Sequence, residues 1–156
     1  MLLHEFKPAL NAYLADLDAR VEVRTLRDLI ALNAQDPERM LRHGQTVLVD
    51  AEAKSGSLRE PEYITARLRD LRLSRAEGID RAMAVHHLDA LLFARARGSA
   101  IAACGGYPSV SVPAGYTREG QPVGATFTAG AFAEPTLIAL TYAYEQATHH
   151  RHSPLL

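Results

Sequence analysis

The chain has no tryptophan and one cysteine, Cys104. A single cysteine excludes an intramolecular disulfide, so a reducing compartment, the cytoplasm, is the expected location. Lysine is nearly as scarce: of 17 basic residues only Lys7 and Lys54 are lysines. Neither sign of charge is in excess, because 18 acidic residues leave a formal net charge of −1. No global field therefore draws nucleic acid or an anionic membrane, and neither is expected as a partner. No apolar run approaches the length needed to cross a bilayer. The opening stretch, MLLHEFKPAL, brings Glu5 and Lys7 too early for the apolar region of a signal peptide. Internal repeats and low-complexity segments are also lacking.

What is present is ordinary globular composition, 47% hydrophobic and 22% charged over 156 residues. That length predicts one domain, residues 1–156, with a real core. The first half reads as helices. Phe6, Leu10, Tyr13, Leu14 and Leu17 recur at helical spacing, with Pro8 expected in the first turn, where its missing N–H costs nothing. Thr25-Leu26-Arg27-Asp28 has the form of a capping box, and Asp36-Pro37-Glu38 that of an N-cap followed by proline. Another helix is expected through Gln45–Ala51, broken by Ser55-Gly56-Ser57. Pro61 then opens the longest periodic segment, to about His87. Its arginines at 67, 69, 72 and 75 read as a solvated face. Gly78 within it marks a kink or a close backbone contact.

From Leu88 the pattern changes. Asp89–Phe93 is a short apolar run, as in a buried strand. Val110 and Val112 alternate with Ser109 and Ser111 up to Pro113, and Val123, Ala125 and Phe127 alternate with Gly124, Thr126 and Thr128. With Thr117-Arg118-Glu119-Gly120 as the turn, these two runs predict a hairpin over residues 109–128. A last helix follows Glu134-Pro135-Thr136. Leu137, Leu140, Thr141 and Tyr144 form one face, yet Ile138, Ala139, Tyr142 and Ala143 leave little polar surface opposite. A helix apolar nearly all round is expected to be buried on several sides.

These motifs occur in a telling order. Gly106-Tyr107-Pro108-Ser109-Val110-Ser111-Val112-Pro113-Ala114-Gly115-Tyr116 is followed by Gly120-Gln121-Pro122-Val123-Gly124. Then come Glu134-Pro135-Thr136-Leu137 and Ala143-Tyr144-Glu145-Gln146-Ala147-Thr148. Upstream stand Glu5-Phe6-Lys7 with Leu10–Leu14, Leu29–Asn33, Gly44-Gln45 and Glu77-Gly78-Ile79-Asp80. Each is modest alone, but the ordered set, covering nearly the whole chain, resembles the C-terminal third of amidase signature enzymes. The resemblance implies a helix-rich α/β fold with several helices packed on a small mixed sheet. It also implies an ancestry among hydrolases of carbon–nitrogen amide bonds.

Such enzymes use a serine nucleophile activated by a neutral lysine through a bridging serine in a cis peptide. Backbone N–H groups of a Gly/Ser-rich loop stabilise the oxyanion. Nothing here resembles a Gly-Gly-Ser-Ser-Gly-Gly loop. Ser55-Gly56-Ser57 and Gly98-Ser99 do not match it, Lys7 falls on the family's Phe-Lys helix, and Lys54 precedes a loop. The link from Phe93 to Gly105, ARARGSAIAAC, is also shorter than the Gly/Ser/Pro-rich segment relatives carry near the substrate pocket.

Rival chemistry is thin. No spacing aims any of the seven histidines at Cys104, which reads as a small buried hydrophobe. His149, His150 and His152, or His86-His87, lack acidic or cysteine partners at ligand spacing. No catalytic, cofactor-binding or metal-binding residue is therefore expected, and no cofactor. The expectation is a truncated amidase segment, inactive alone. It would either self-associate as a dimer or larger, or pair with a separate N-terminal amidase half. The alternative is a stand-alone, non-catalytic interaction module.

Overall fold

The computed structural model describes residues 1–153, which form two compact units, one of residues 1–67 and one from residue 68 onward. The first unit is helical: α1 (Leu2–Ala15), α2 (Leu26–Gln35), α3 (Pro37–Met40), α4 (Thr46–Glu52) and the first half of α5 (Pro61–Ser74). Local chemistry accounts for the helix starts. The Thr25 hydroxyl accepts from the Asp28 N–H at 3.1 Å, and the Asp28 carboxylate accepts from the Thr25 N–H at 2.9 Å, a complete capping box. Asp36 caps α3 through the Arg39 N–H at 3.3 Å, with Pro37 in the first position. Pro8 departs from expectation. Because α1 begins at Leu2, Pro8 lies inside the helix rather than in its first turn, and one intrahelical bond is forfeited there.

The unit closes around Leu14, Leu26 and Ala51, all buried. Lys7 is part of this structure. Its ammonium donates to the carbonyls of Glu52 at 2.8 Å and Lys54 at 3.0 Å, and lies 3.2 Å from the Glu52 carboxylate, fastening α1 to the end of α4. Gly56, at φ +76°, turns the chain over the Lys7 stem, its absent Cβ 3.6 Å from Lys7 Cδ.

The Ser55–Glu60 turn carries a pH-sensitive contact. The hydroxyls of Ser55 and Ser57 both donate to the Glu60 carboxylate, the second at 3.3 Å. The Ser55 bond above all holds that carboxyl below its ordinary range. A carboxylate whose folded pKa is depressed stabilises the fold above its unfolded pKa, and the contribution is lost as pH falls through the folded value. Thermal midpoints measured from about pH 6 to about pH 2.5 should thus fall less steeply for Glu60→Gln than for the parent. Superimposable acid profiles would show that Glu60 contributes nothing.

The second unit holds the rest of α5, a π-helical turn (Arg75–Ile79), α6 (Asp80–His86), β1 (Leu91–Ala94), α7 (Ser99–Gly105), β2 (Ser109–Tyr116), β3 (Pro122–Thr128) and α8 (Glu134–Thr148). The expected hairpin is present, closed by the Thr117 N–H to Gln121 carbonyl bond at 2.8 Å. The helix-rich α/β architecture is as expected. The sheet runs β1-β3-β2, and among the described residues both its pairings are antiparallel rather than mixed. β1 pairs with the far strand of the hairpin, Leu91 opposite Thr128 through Ala94 opposite Ala125. β2 continues past Pro113 to Tyr116, because the register slips between Pro113 and Gly115. α8 packs on β2 and β3, with Leu137 and Thr141 turned inward, while α7 packs on β3. The link ARARGSAIAAC, in which the sequence marks no element, contains all of α7 but its last residue, Gly105.

Candidate functional site

Two family-like motifs far apart in sequence meet in the second unit. The π-helical turn carries Glu77-Gly78-Ile79 into Asp80, and α7 ends on Gly105 and Gly106, the latter at φ +67°. The Arg75 guanidinium donates to the Gly105 carbonyl at 2.5 Å and lies over the Tyr107 ring, 5.4 Å from its centroid. The Tyr107 hydroxyl donates to Asp80 at 2.9 Å. Burial, then the bond to Asp80, pushes the Tyr107 phenol above its ordinary range. A side chain at Gly106 would press on Arg75, its Cβ 3.3 Å from the guanidinium nitrogen. This network fixes the Gly105–Pro108 turn that feeds β2.

A groove of about 1040 Å³ lies at the turn end of the hairpin, between Val112, Gly115 and Val123 and the segment after α8. The Tyr116 hydroxyl bridges that segment, accepting from the His152 N–H and donating to its carbonyl, both at 3.2 Å, with the two rings stacked 5.8 Å apart. The walls are mainly apolar.

Five serine hydroxyls are spent locally: Ser55 and Ser57 on Glu60, Ser74 on the Asp70 carbonyl, Ser99 on the Ala96 carbonyl, and Ser111 with Thr126. Among the described residues no serine hydroxyl bonds a lysine or a histidine. Cys104 sits half-buried in the last turn of α7, beside Asp70, Leu73 and Ser74. His86 and His87 end α6, and His149 ends α8 in the left-handed region. His150 rests against the Tyr144 ring. Among the described residues no group of three or more His, Cys, Asp or Glu is placed to hold a metal ion. No helix of the described residues is long and apolar enough to cross a membrane. The Arg75–Tyr107–Asp80 network escapes sequence reading, although its two halves, Glu77–Asp80 and Gly106–Pro108, each stand out as motifs.

No protein-family model matches the chain. Individual proteins do. A protein of Arabidopsis thaliana named a probable amidase is 39% identical over 155 residues, 98% of this chain but 30% of that protein. A glutamyl-tRNA(Gln) amidotransferase subunit of Syntrophus aciditrophicus is 50% identical over 44 residues, 28% of this chain and 9% of that one. Among solved structures, the native peptide amidase of Stenotrophomonas maltophilia superimposes with a TM-score of 0.89 at 41% identity, over 99% of this chain and 34% of that one. An amidase family protein of Bacillus anthracis gives 0.88 at 32% identity, over 99% and 30%. The chain thus spans about a third of the length of the relatives it matches end to end. With the ordered motifs from Glu5-Phe6-Lys7 to Ala147-Thr148 folded as in these enzymes, the chain is similar to a C-terminal portion of amidase signature enzymes.

Proposed function

We propose that this chain is the strand-and-helix portion of a hydrolase that cleaves carbon–nitrogen amide bonds, and that it carries no amidase chemistry by itself. The observation that carries the reading is the superposition on a peptide amidase over 99% of this chain and only 34% of that enzyme. The family's Ser-Ser-Lys centre has no counterpart among these 156 residues. In the complete reaction, water and an amide yield a carboxylic acid and ammonia through an acyl-serine intermediate, and both serines and the lysine must be supplied from outside this stretch. The role proposed for this chain is to support that centre: the Arg75–Tyr107–Asp80 network holds the turn into β2, and the hairpin end forms an apolar groove.

A chimera tests the reading. The 156 residues replace the superimposed third of the S. maltophilia peptide amidase, and ammonia release from a peptide amide is measured. A folded chimera that releases ammonia is expected; one that folds and releases none would overturn it.

A second reading has an observation of its own. Phe132 is 91% exposed, and Ile138 and Tyr142 more than half exposed. Apolar surface of this kind favours association, either as a non-catalytic interaction module or as one half of a two-chain amidase. Light scattering at micromolar concentration should then find a species larger than the monomer.

A further inference from the structure

We infer that the outer face of α8 is the docking surface for the part of an amidase fold that this chain does not contain. The inference rests on the amidase reading above and adds to it a place of contact. Ile138, Ala139, Tyr142 and Ala143 fall on adjoining positions one turn apart, the geometry that presents a continuous helical stripe. All four are exposed, Ile138 by 62% and Tyr142 by 63%. The opposite face of the same helix is buried through Leu137 and Thr141. A helix apolar on both sides needs cover on both, and the described residues cover only one. Phe132, two residues before α8, adds an aromatic ring that is 91% exposed at φ +59°, a conformation uncommon for a bulky residue.

Surface area points the same way. The chain exposes 11175 Å². Two separate compact bodies with the masses of the two units would together expose about 9300 Å². The excess belongs to the chain as a whole and is not confined to α8. It exceeds the ~800 Å² that one partner contributes to an ordinary specific interface. The occupant follows from length: about two-thirds of the superimposed peptide amidase lies outside the matched region, roughly twice this chain's own length. A stripe without charge fits a partner face of the same apolar character, as in a protein core cut in two.

The test uses that peptide amidase deprived of its superimposed third, co-expressed as a separate polypeptide with this chain. Complex formation is read by size-exclusion chromatography with light scattering, and ammonia release from a peptide amide is read in parallel. A one-to-one complex is expected. Ile138→Arg with Tyr142→Arg should weaken it by roughly tenfold or more, while Val47→Arg, at an exposed site in the first unit, should not. If the arginine pair fails to fold, Ile138→Ser with Tyr142→Ser takes its place. A complex that the paired substitutions leave intact overturns the docking surface, yet ammonia release from it would keep the amidase reading. A complex lost with the pair but silent towards the amide supports the surface and counts against the reading. Absence of any complex, or a homodimer broken by the pair, overturns the inference.

Discussion

Leu137→Ala is expected to cost about 2–5 kcal/mol of stability, whereas Ile138→Ala, one residue further on, should change it by about 0.5 kcal/mol or less. The side chains are adjacent and nearly equal in volume, and the contrast comes from burial alone. Leu137 is fully buried where α8 packs on β2 and β3, and Ile138 is 62% exposed. Removing the Leu137 side chain deletes its burial and leaves a cavity that the sheet cannot collapse into fully, because interiors are already close-packed. Denaturant unfolding, monitored on the second unit, checks this. Equal effects of the two substitutions would mean that α8 is not seated on the sheet by this face.

Gly78→Ala should be the second severe change, destabilising by about 1–3 kcal/mol or more. A Cβ at Gly78 would stand 2.3 Å from the Leu73 carbonyl oxygen and 3.5 Å from Ile101 Cδ1. The close atom is backbone, so no rotamer change relieves it. The π-helical turn brings the two together, since its wider winding sets Leu73 five residues before Gly78 against the same stretch of backbone. For a chain of this size each kcal/mol lowers the thermal midpoint by about 2–4 °C. Gly130→Ala, at a glycine with no atom within 4 Å of the added Cβ, is the control and should leave the midpoint nearly unchanged. A Gly78→Ala protein as stable as the parent would mean that the π-helical turn relaxes to an ordinary helix at no cost.

Gly78 also shows what kind of information sequence carries. A glycine inside a periodic segment signals close approach, but not what approaches, because Leu73 meets it only through a change of winding. Where the determining chemistry is local, the reading succeeds in detail. Thr25 and Asp28 satisfy each other's backbone donors within four residues, and Asp36-Pro37 starts α3 by the same logic. The hairpin is likewise local, two alternating runs and a turn. The strand pairing β1 to β3 spans more than thirty residues, and no periodicity encodes which edge of a hairpin a third strand joins. The helix α7 is illegible for another reason. Ser99–Gly105 is short and rich in small residues, so it has little amphipathic contrast to set it apart from a loop.

The candidate site divides in the same way. Family-like motifs are legible in order along the chain, whereas the bonds from Arg75 to Gly105 and from Tyr107 to Asp80 join residues about thirty positions apart. The outer face of α8 is the instructive disagreement. Ile138, Ala139, Tyr142 and Ala143 have the composition of buried residues, and the structure leaves them exposed. Sequence patterning reports the surroundings in which a helix is used, and the exposed stripe on α8 is the observation behind the docking surface inferred above.

The most direct measurement is ammonia release from a peptide amide by the purified 156-residue chain alone. No ammonia above the buffer blank is expected, because no serine hydroxyl among the described residues bonds a lysine or a histidine. Release that co-elutes with the chain through successive columns, and that a second preparation from a different host reproduces, would contradict it.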